Sequence, residues 1–224
     1  MKRYGQYCPV AHALEAIGER WSLLIVRDLL EGPKRYTDLA VGLPGIGTNI
    51  LAGRLRALEA CGVVTKRKLE PPAAVTVYEL TPYGRDLEEA MHALARWGAR
   101  SLGPPSPDEQ LTPGWSVNAI QATFVPEAAR GISATYVLQI GDEAATMRVD
   151  DGTVVAERGA TETADLVVET DQATLFELVA RTLSVEEALA EGRVRVSGDA
   201  DELERLVSML SFESRLASAR PTLV

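Results

Sequence analysis

Apolar and polar positions along this chain follow two rhythms. In the first half the spacing is helical. Val10, Leu14 and Ile17 follow Cys8-Pro9, where proline suits the first helical position, and Gly18 ends the run. A second helix is predicted through Trp21, Leu24, Ile25, Asp28 and Leu29, stopping at Gly32-Pro33. Thr37 to Val41 predicts a short third helix, and Leu43-Pro44-Gly45-Ile46-Gly47 a turn. Thr48 then caps a fourth helix that runs to about Cys61 and is closed by Gly62. β-favouring runs at 63–69 and 75–80 flank a proline-containing tip and predict a hairpin. After Thr81-Pro82-Tyr83-Gly84 a long helix is expected to Leu102, with Leu87, Met91, Leu94 and Ala95 on one side.

The second half opens with helical spacing at Trp115, Ala119, Ile120 and Phe124, then switches to alternation. Ile132, Ala134, Tyr136, Leu138 and Ile140 predict the buried face of a strand, and Gly141-Asp142 turns the chain into a second one carrying Ala145, Met147 and Val149. Further strands are predicted at 154–156, at 166–168, and around Val194 and Val196. Asp171 caps a helix with Leu175, Phe176, Leu178, Val179 and Leu183. Ser184 and Glu187 form a capping box for the next helix, and Asp199 with Glu202 repeats that logic before Leu203, Leu206, Val207 and Leu210. The expected fold class is therefore a mainly α winged helix-turn-helix followed by an α+β domain whose antiparallel sheet is covered by helices.

Composition and charge sharpen this division. The chain has 224 residues, 46% apolar and 25% charged, enough for two modest cores. Residues 103–114 hold four prolines and two glycines and read as a linker between domains at 1–102 and 115–224. The net charge of −9 conceals an asymmetry: residues 1–102 carry a net +3 and residues 103–224 a net −12. One lobe is thus suited to an anion and the other is not. Two cysteines and two histidines leave no disulfide framework, metal site or nucleophile–base constellation, so no cofactor and no enzymatic activity are expected. Apolar runs fall far short of the ~18 residues of a membrane span, no secretory pattern opens the chain, and a cytoplasmic location is expected.

The fourth helix carries the chemistry. At about 100° per residue, Ile50, Leu51, Leu55 and Leu58 share one arc and are expected in the core. The opposite arc presents Asn49, Ala52, Gly53 and Arg56: small residues, one amide and one guanidinium, without an acid. Such a face can approach base edges closely, the amide suited to adenine and the guanidinium to guanine. Thr48 at the start of this helix, Arg35 before the third helix and Thr37 at its start, and Lys66, Arg67 and Lys68 on the first hairpin strand complete the expected contacts to double-stranded DNA. Three consecutive strand residues alternate faces, so the three hairpin cations cannot all meet one backbone. Arg54, at the edge of the core arc, either reaches a phosphate or pairs with an acid such as Asp38.

These residues resemble the HxlR family of bacterial transcription regulators over about residues 5–100. The resemblance is carried by Tyr7-Cys8-Pro9-Val10, Ile17-Gly18-Glu19-Arg20-Trp21-Ser22, Arg35-Tyr36-Thr37-Asp38-Leu39, Leu51-Ala52-Gly53-Arg54-Leu55 and Val77-Tyr78-Glu79-Leu80-Thr81-Pro82-Tyr83-Gly84. Gly47-Thr48 departs from it, since the family has polar residues entering the helix. The resemblance implies a homodimer built from the first and last helices of this domain and a pseudo-palindromic operator. It also implies a thiol sensor at Cys8, a role that a helix N-terminus near Lys2 and Arg3 favours by stabilising thiolate. Packing or a dimer contact is the alternative role for Cys8.

Residues of about 115–212 resemble the sterol carrier protein type 2 fold, through Ala164-Asp165-Leu166-Val167-Val168, Ser184-Val185-Glu186-Glu187-Ala188-Leu189 and Gly192-Arg193-Val194-Arg195-Val196-Ser197-Gly198-Asp199. That resemblance implies an apolar tunnel and a small apolar effector. The candidate lining is Phe124, Tyr136, Leu138, Met147, Phe176 and Met209, all of which equally suit an ordinary core. The expected function is a ligand-modulated regulator that binds operator DNA. The alternative is a carrier of apolar molecules whose first domain only dimerises.

Overall fold

The computed structural model describes residues 4–70, 72, 74–99, 101 and 114–211. The expected linker at 103–114 lies almost wholly outside the described residues, as do Lys2 and Arg3. The chain forms two compact units, Met1–Met91 and His92–Val224.

In the first unit, α1 (Pro9–Ile17), α2 (Ser22–Leu30), α3 (Tyr36–Gly42) and α4 (Thr48–Ala60) precede a hairpin of β1 (Val64–Lys68) and β2 (Thr76–Leu80). Ile25, Val26, Leu29, Leu39, Leu43, Leu51, Leu55 and Leu58 meet Val63, Val64 and Leu80 in one core. The hairpin pairs Val64 with Leu80 and Lys68 with Thr76, and Lys34 bridges to Tyr78 on its outer side. Trp21, expected inside the second helix, instead stands before it as the N-cap with φ 79°.

The long helix expected after Gly84 is broken into α5 (Pro82–Arg85) and α6 (Glu88–Ala99). The short helix is pinned at its start. Thr81 Oγ1 accepts from the Gly84 N–H at 3.0 Å and donates to the Gly62 carbonyl at 2.6 Å. A Cβ on Gly84 would lie 2.1 Å from the Val63 carbonyl oxygen, so only glycine permits this approach. Leu87 and Met91 are thereby turned onto the core.

In the second unit, α7 (Trp115–Thr123) and a 3-10 turn at Pro126–Ala129 lead into β3 (Ser133–Ile140), β4 (Glu143–Asp150), β5 (Thr153–Arg158) and β6 (Leu166–Thr170). Then follow α8 (Gln172–Val179), α9 (Val185–Ala190), β7 (Val194–Gly198) and α10 (Asp201–Ser208). The strand order is β5-β4-β3-β6-β7. The sheet is mixed rather than antiparallel throughout, because β6 pairs parallel to β3. The tight turns β3–β4 and β4–β5 do enforce antiparallel neighbours, but the chain then crosses to the far side of β3 before β6 begins.

Tyr136, Leu138, Ile140, Ala145, Met147, Val149, Leu166 and Val168 pack with residues of α7, α8 and α10 to form the second core. On the other face, Arg148 pairs with Glu157 and Arg195 with Glu169. Val137 and Thr146, neighbours across β3 and β4 on that face, are nevertheless buried. Both expected caps form: Asp171 Oδ1 accepts from Thr174 N–H, and Ser184 and Glu187 make the reciprocal capping box. The Asp199–Glu202 box does not, since α10 begins at Asp201 and Asp199 Oδ1 accepts from the Asp201 N–H instead.

Candidate nucleic-acid interface

The inward stripe of α4 is Leu51, Leu55 and Leu58, all buried. Ile50 was expected to join it but is 48% exposed, because only a narrow arc of the helix meets the core. Opposite, Thr48, Asn49 and Arg56 are exposed and Ala52 and Gly53 half-buried. Apart from its own helix backbone, nothing among the described residues lies within 4 Å of where a Gly53 Cβ would stand, so packing there does not require glycine.

The flanking cations divide into committed and uncommitted groups. Lys66 Nζ donates to Glu59 Oε2 at 2.9 Å and lies 5.5 Å from the centre of the Tyr78 ring. Arg67 makes a two-pronged bond to Glu79 at 2.8–3.0 Å across the hairpin. The bonds to Glu59 and Glu79 raise the pKa values of Lys66 and Arg67, and the Arg67 hydrogen bond lowers that of Glu79. Arg35, Arg56 and Lys68 have no carboxylate within ion-pair distance among the described residues. Arg56 Nε folds back on the Ala52 carbonyl at 3.3 Å, Thr37 Oγ1 donates to Asp38 Oδ1 at 3.4 Å, and Asp38 Oδ2 accepts from the Arg35 N–H at 3.0 Å.

Two contacts of α4 were not visible in the sequence pattern. The Tyr36 hydroxyl donates to the Thr48 carbonyl at 2.7 Å. Arg54 makes the internal pair with an acid, but with Glu19 rather than Asp38, and also donates to the Arg20 carbonyl. The partners lie 34 and 35 positions away, beyond any local periodicity. The Arg67–Glu79 pair, by contrast, follows from the hairpin register.

Cys8 is the N-cap of α1, and Cys61 the C-cap of α4; both are half-buried. In the second unit Tyr136, Leu138, Met147 and Met209 are fully buried members of the core, Phe124 is buried at its edge and Phe176 is half-buried. The Tyr136 hydroxyl donates to Glu202 Oε2 at 3.1 Å, and burial together with that bond pushes its pKa up. One open cleft of about 640 Å³ is walled by Ile132, Ser133, Ala134, Asp165, Glu202 and Arg205. Another, of about 320 Å³, is walled by Leu178, Arg181, Leu183, Val185, Glu204 and Val207. None of the six candidate lining residues borders either of these, but Phe124 borders a third cleft, of about 260 Å³, beside Thr123, Val125 and Ser211. No cluster of metal-ligating side chains occurs among the described residues, and no helix there is long and apolar enough to cross a membrane.

Residues 16–105 match the HxlR-like helix-turn-helix family, and residues 110–215 match the alkyl sulfatase C-terminal family. The second match replaces sterol carrier protein type 2 as the family to which this half is similar. Among curated proteins, the uncharacterised HTH-type transcriptional regulator sll1512 of Synechocystis sp. is 31% identical over 114 residues, covering 51% of this chain and 84% of that protein. The uncharacterised HTH-type regulator YtcD of Bacillus subtilis is 37% identical over 93 residues, covering 42% and 74%. The solved structure of the sec-alkylsulfatase Pisa1 from Pseudomonas sp. is 23% identical with a TM-score of 0.41; the match covers 45% of this chain and only 16% of that enzyme.

Proposed function

The chain belongs to the HxlR-like helix-turn-helix family, and from that premise we propose that it is a dimeric regulator that reads operator DNA through α4 and responds to a small apolar effector. The observation that carries the reading is the two-sided character of α4. Leu51, Leu55 and Leu58 are buried, while Asn49 and Arg56 are exposed on the opposite side around an unobstructed Gly53. Arg35 and Lys68 supply uncommitted charge for phosphates. Lys66 and Arg67 contribute only at the cost of loosening their bonds to Glu59 and Glu79.

Apolar residues left exposed on the two elements named by the family resemblance support the dimer: Val10 and Leu14 on α1, with Tyr7 before it, and Leu94 and Trp97 on α6. The effector reading rests on a second folded unit, with its own core, beyond the family's matched region. The buried methionines Met147 and Met209 suit a core that opens around a guest. Oxidation of Cys8, half-buried at the start of α1, would add a redox input. The protein acts where DNA is accessible, in the cytoplasm.

The test is selection of duplexes from a random-sequence library by the full chain, followed by a salt titration. Recovery of a two-fold related motif whose affinity falls steeply with salt is the expected result. Recovery of no motif, with affinity for fatty acids retained, would replace the regulator with a carrier.

A further inference from the structure

Arg54 follows Gly53 on α4, yet its side chain runs away from the exposed stripe. Its Nε donates to the Arg20 carbonyl at 3.1 Å and its terminal nitrogen to Glu19 Oε2 at 2.8 Å. Both acceptors sit in the turn between α1 and α2. That turn holds an unusual conformation: Trp21 lies in the left-handed region, uncommon for a bulky residue, and the Arg20 guanidinium stacks 5.2 Å from its ring centre. The Ser22 N–H closes the turn on the Glu19 carbonyl at 3.0 Å. Arg54 therefore grips the carbonyl just before the left-handed residue, where the peptide plane is fixed. At the start of the same helix the Tyr36 hydroxyl holds the Thr48 carbonyl.

These polar bonds do something the leucines of α4 cannot. Burial of Leu51, Leu55 and Leu58 is non-directional and tolerates a small roll of the helix about its axis. A roll of about 20° displaces a side-chain tip 5–6 Å from the axis by about 2 Å. That is enough to break a bidentate contact to a base edge, while contacts to phosphates, borne by flexible cations, survive it. A guanidinium held at two nitrogens resists such a roll, because its donors form a rigid fork.

We propose that Arg54 is a positioning residue for DNA reading: clamped to Glu19 and the Arg20 carbonyl, it fixes the roll of α4 and hence where Asn49 and Arg56 point. This rests on the DNA-reading role proposed above. It assigns Arg54 no contact with DNA, and it makes the turn between α1 and α2 part of the reading apparatus. A shift of α1 would reach α4 through this clamp.

The experiment compares the parent, Glu19→Ala, Arg54→Lys and Arg54→Ala on two probes: the duplex the parent selects and a scrambled duplex of equal composition, each over a salt series, with a thermal melt of every variant. Glu19→Ala removes a negative charge, so charge alone would tighten binding to both probes. The clamp predicts the opposite for the selected duplex. Its preference over the scrambled one falls roughly threefold to thirtyfold, with the salt slope unchanged. Arg54→Lys keeps the charge but not the fork and should lose preference similarly.

Three results overturn the proposal. Preference retained in both Glu19→Ala and Arg54→Lys, even with a lowered melting temperature, leaves Arg54 a purely structural residue. An Arg54→Ala protein that loses affinity for both duplexes alike, with a salt slope lower by about one, makes Arg54 a phosphate ligand. A parent that selects no duplex removes the DNA-reading role itself and the clamp with it, and is told apart because it needs no variant. Should Arg54→Ala fail to fold, Glu19→Ala, altered at a largely exposed side chain, decides alone.

Discussion

The two units treat their apolar stripes in opposite ways. In the first, α4 buries one stripe and leaves the opposite one unencumbered, so the candidate site is a convex ridge. In the second, the residues most suggestive of a ligand pocket, Tyr136, Leu138, Met147 and Met209, close on one another and on the helices above the sheet. The two larger open clefts of that unit have other walls, largely polar in the bigger one, and only Phe124 of the six candidates borders a smaller third cleft. A ridge is made of residues that fail to be buried, and periodicity reports that directly. A cavity is made of atoms that are absent, and no spacing of residues reports it.

The largest effect that tests this contrast lies in the second unit. Leu138→Ala should cost about 2–5 kcal/mol in urea unfolding, as expected for a side chain packed on all sides. A loss below about 1 kcal/mol would mean that Leu138 borders space the apolar core can refill, and would revive it as a lining residue.

On the ridge the readout shifts from stability to binding. Arg56→Ala should leave unfolding nearly unchanged and cost about 1–3 kcal/mol against the selected duplex, with specificity relaxed at one base pair. Lys68→Ala should weaken all duplexes alike and lower the salt slope by about one. If the two variants behave identically in competition assays, Arg56 is another phosphate contact and not a reader.

The smallest effect separates packing from approach at glycine. Gly53→Ala meets open space and should raise the stability of the free protein by up to about 1 kcal/mol, since alanine is the better helix former. It should nonetheless weaken duplex binding if the helix backbone comes close to the groove. Gly84 provides the contrast, because there a Cβ would collide with the Val63 carbonyl oxygen and the melting temperature should fall. A Gly53→Ala protein that is stabilised and binds DNA undiminished would remove close approach as the reason for the glycine.

Much of the fold is legible in the sequence. The order of helices and strands, the hairpin, the Asp171 cap and the Ser184–Glu187 box all follow from signals spanning only a few residues. Three of the departures have a common origin. The helical wheel places Ile50 on the core arc, but the neighbours of α4 cover only a narrow part of it. The long helix after Gly84 was broken by the demand of Val63 and Gly62 on the Thr81–Gly84 turn. The parallel β3–β6 pair came from a crossover that turn signals do not encode.

By itself, then, the sequence determined the local elements, the acid-free outward stripe of α4 and the opposite charge of the two halves. Only the tertiary structure decided that Lys66 is held by Glu59, that Arg54 reaches back to Glu19 and Arg20, and that Tyr136, Leu138, Met147 and Met209 close into a core. The reason is range. Helical and strand periodicities are fixed by backbone geometry over a few residues, whereas ion-pair choice and empty volume depend on which distant segments arrive at the same place.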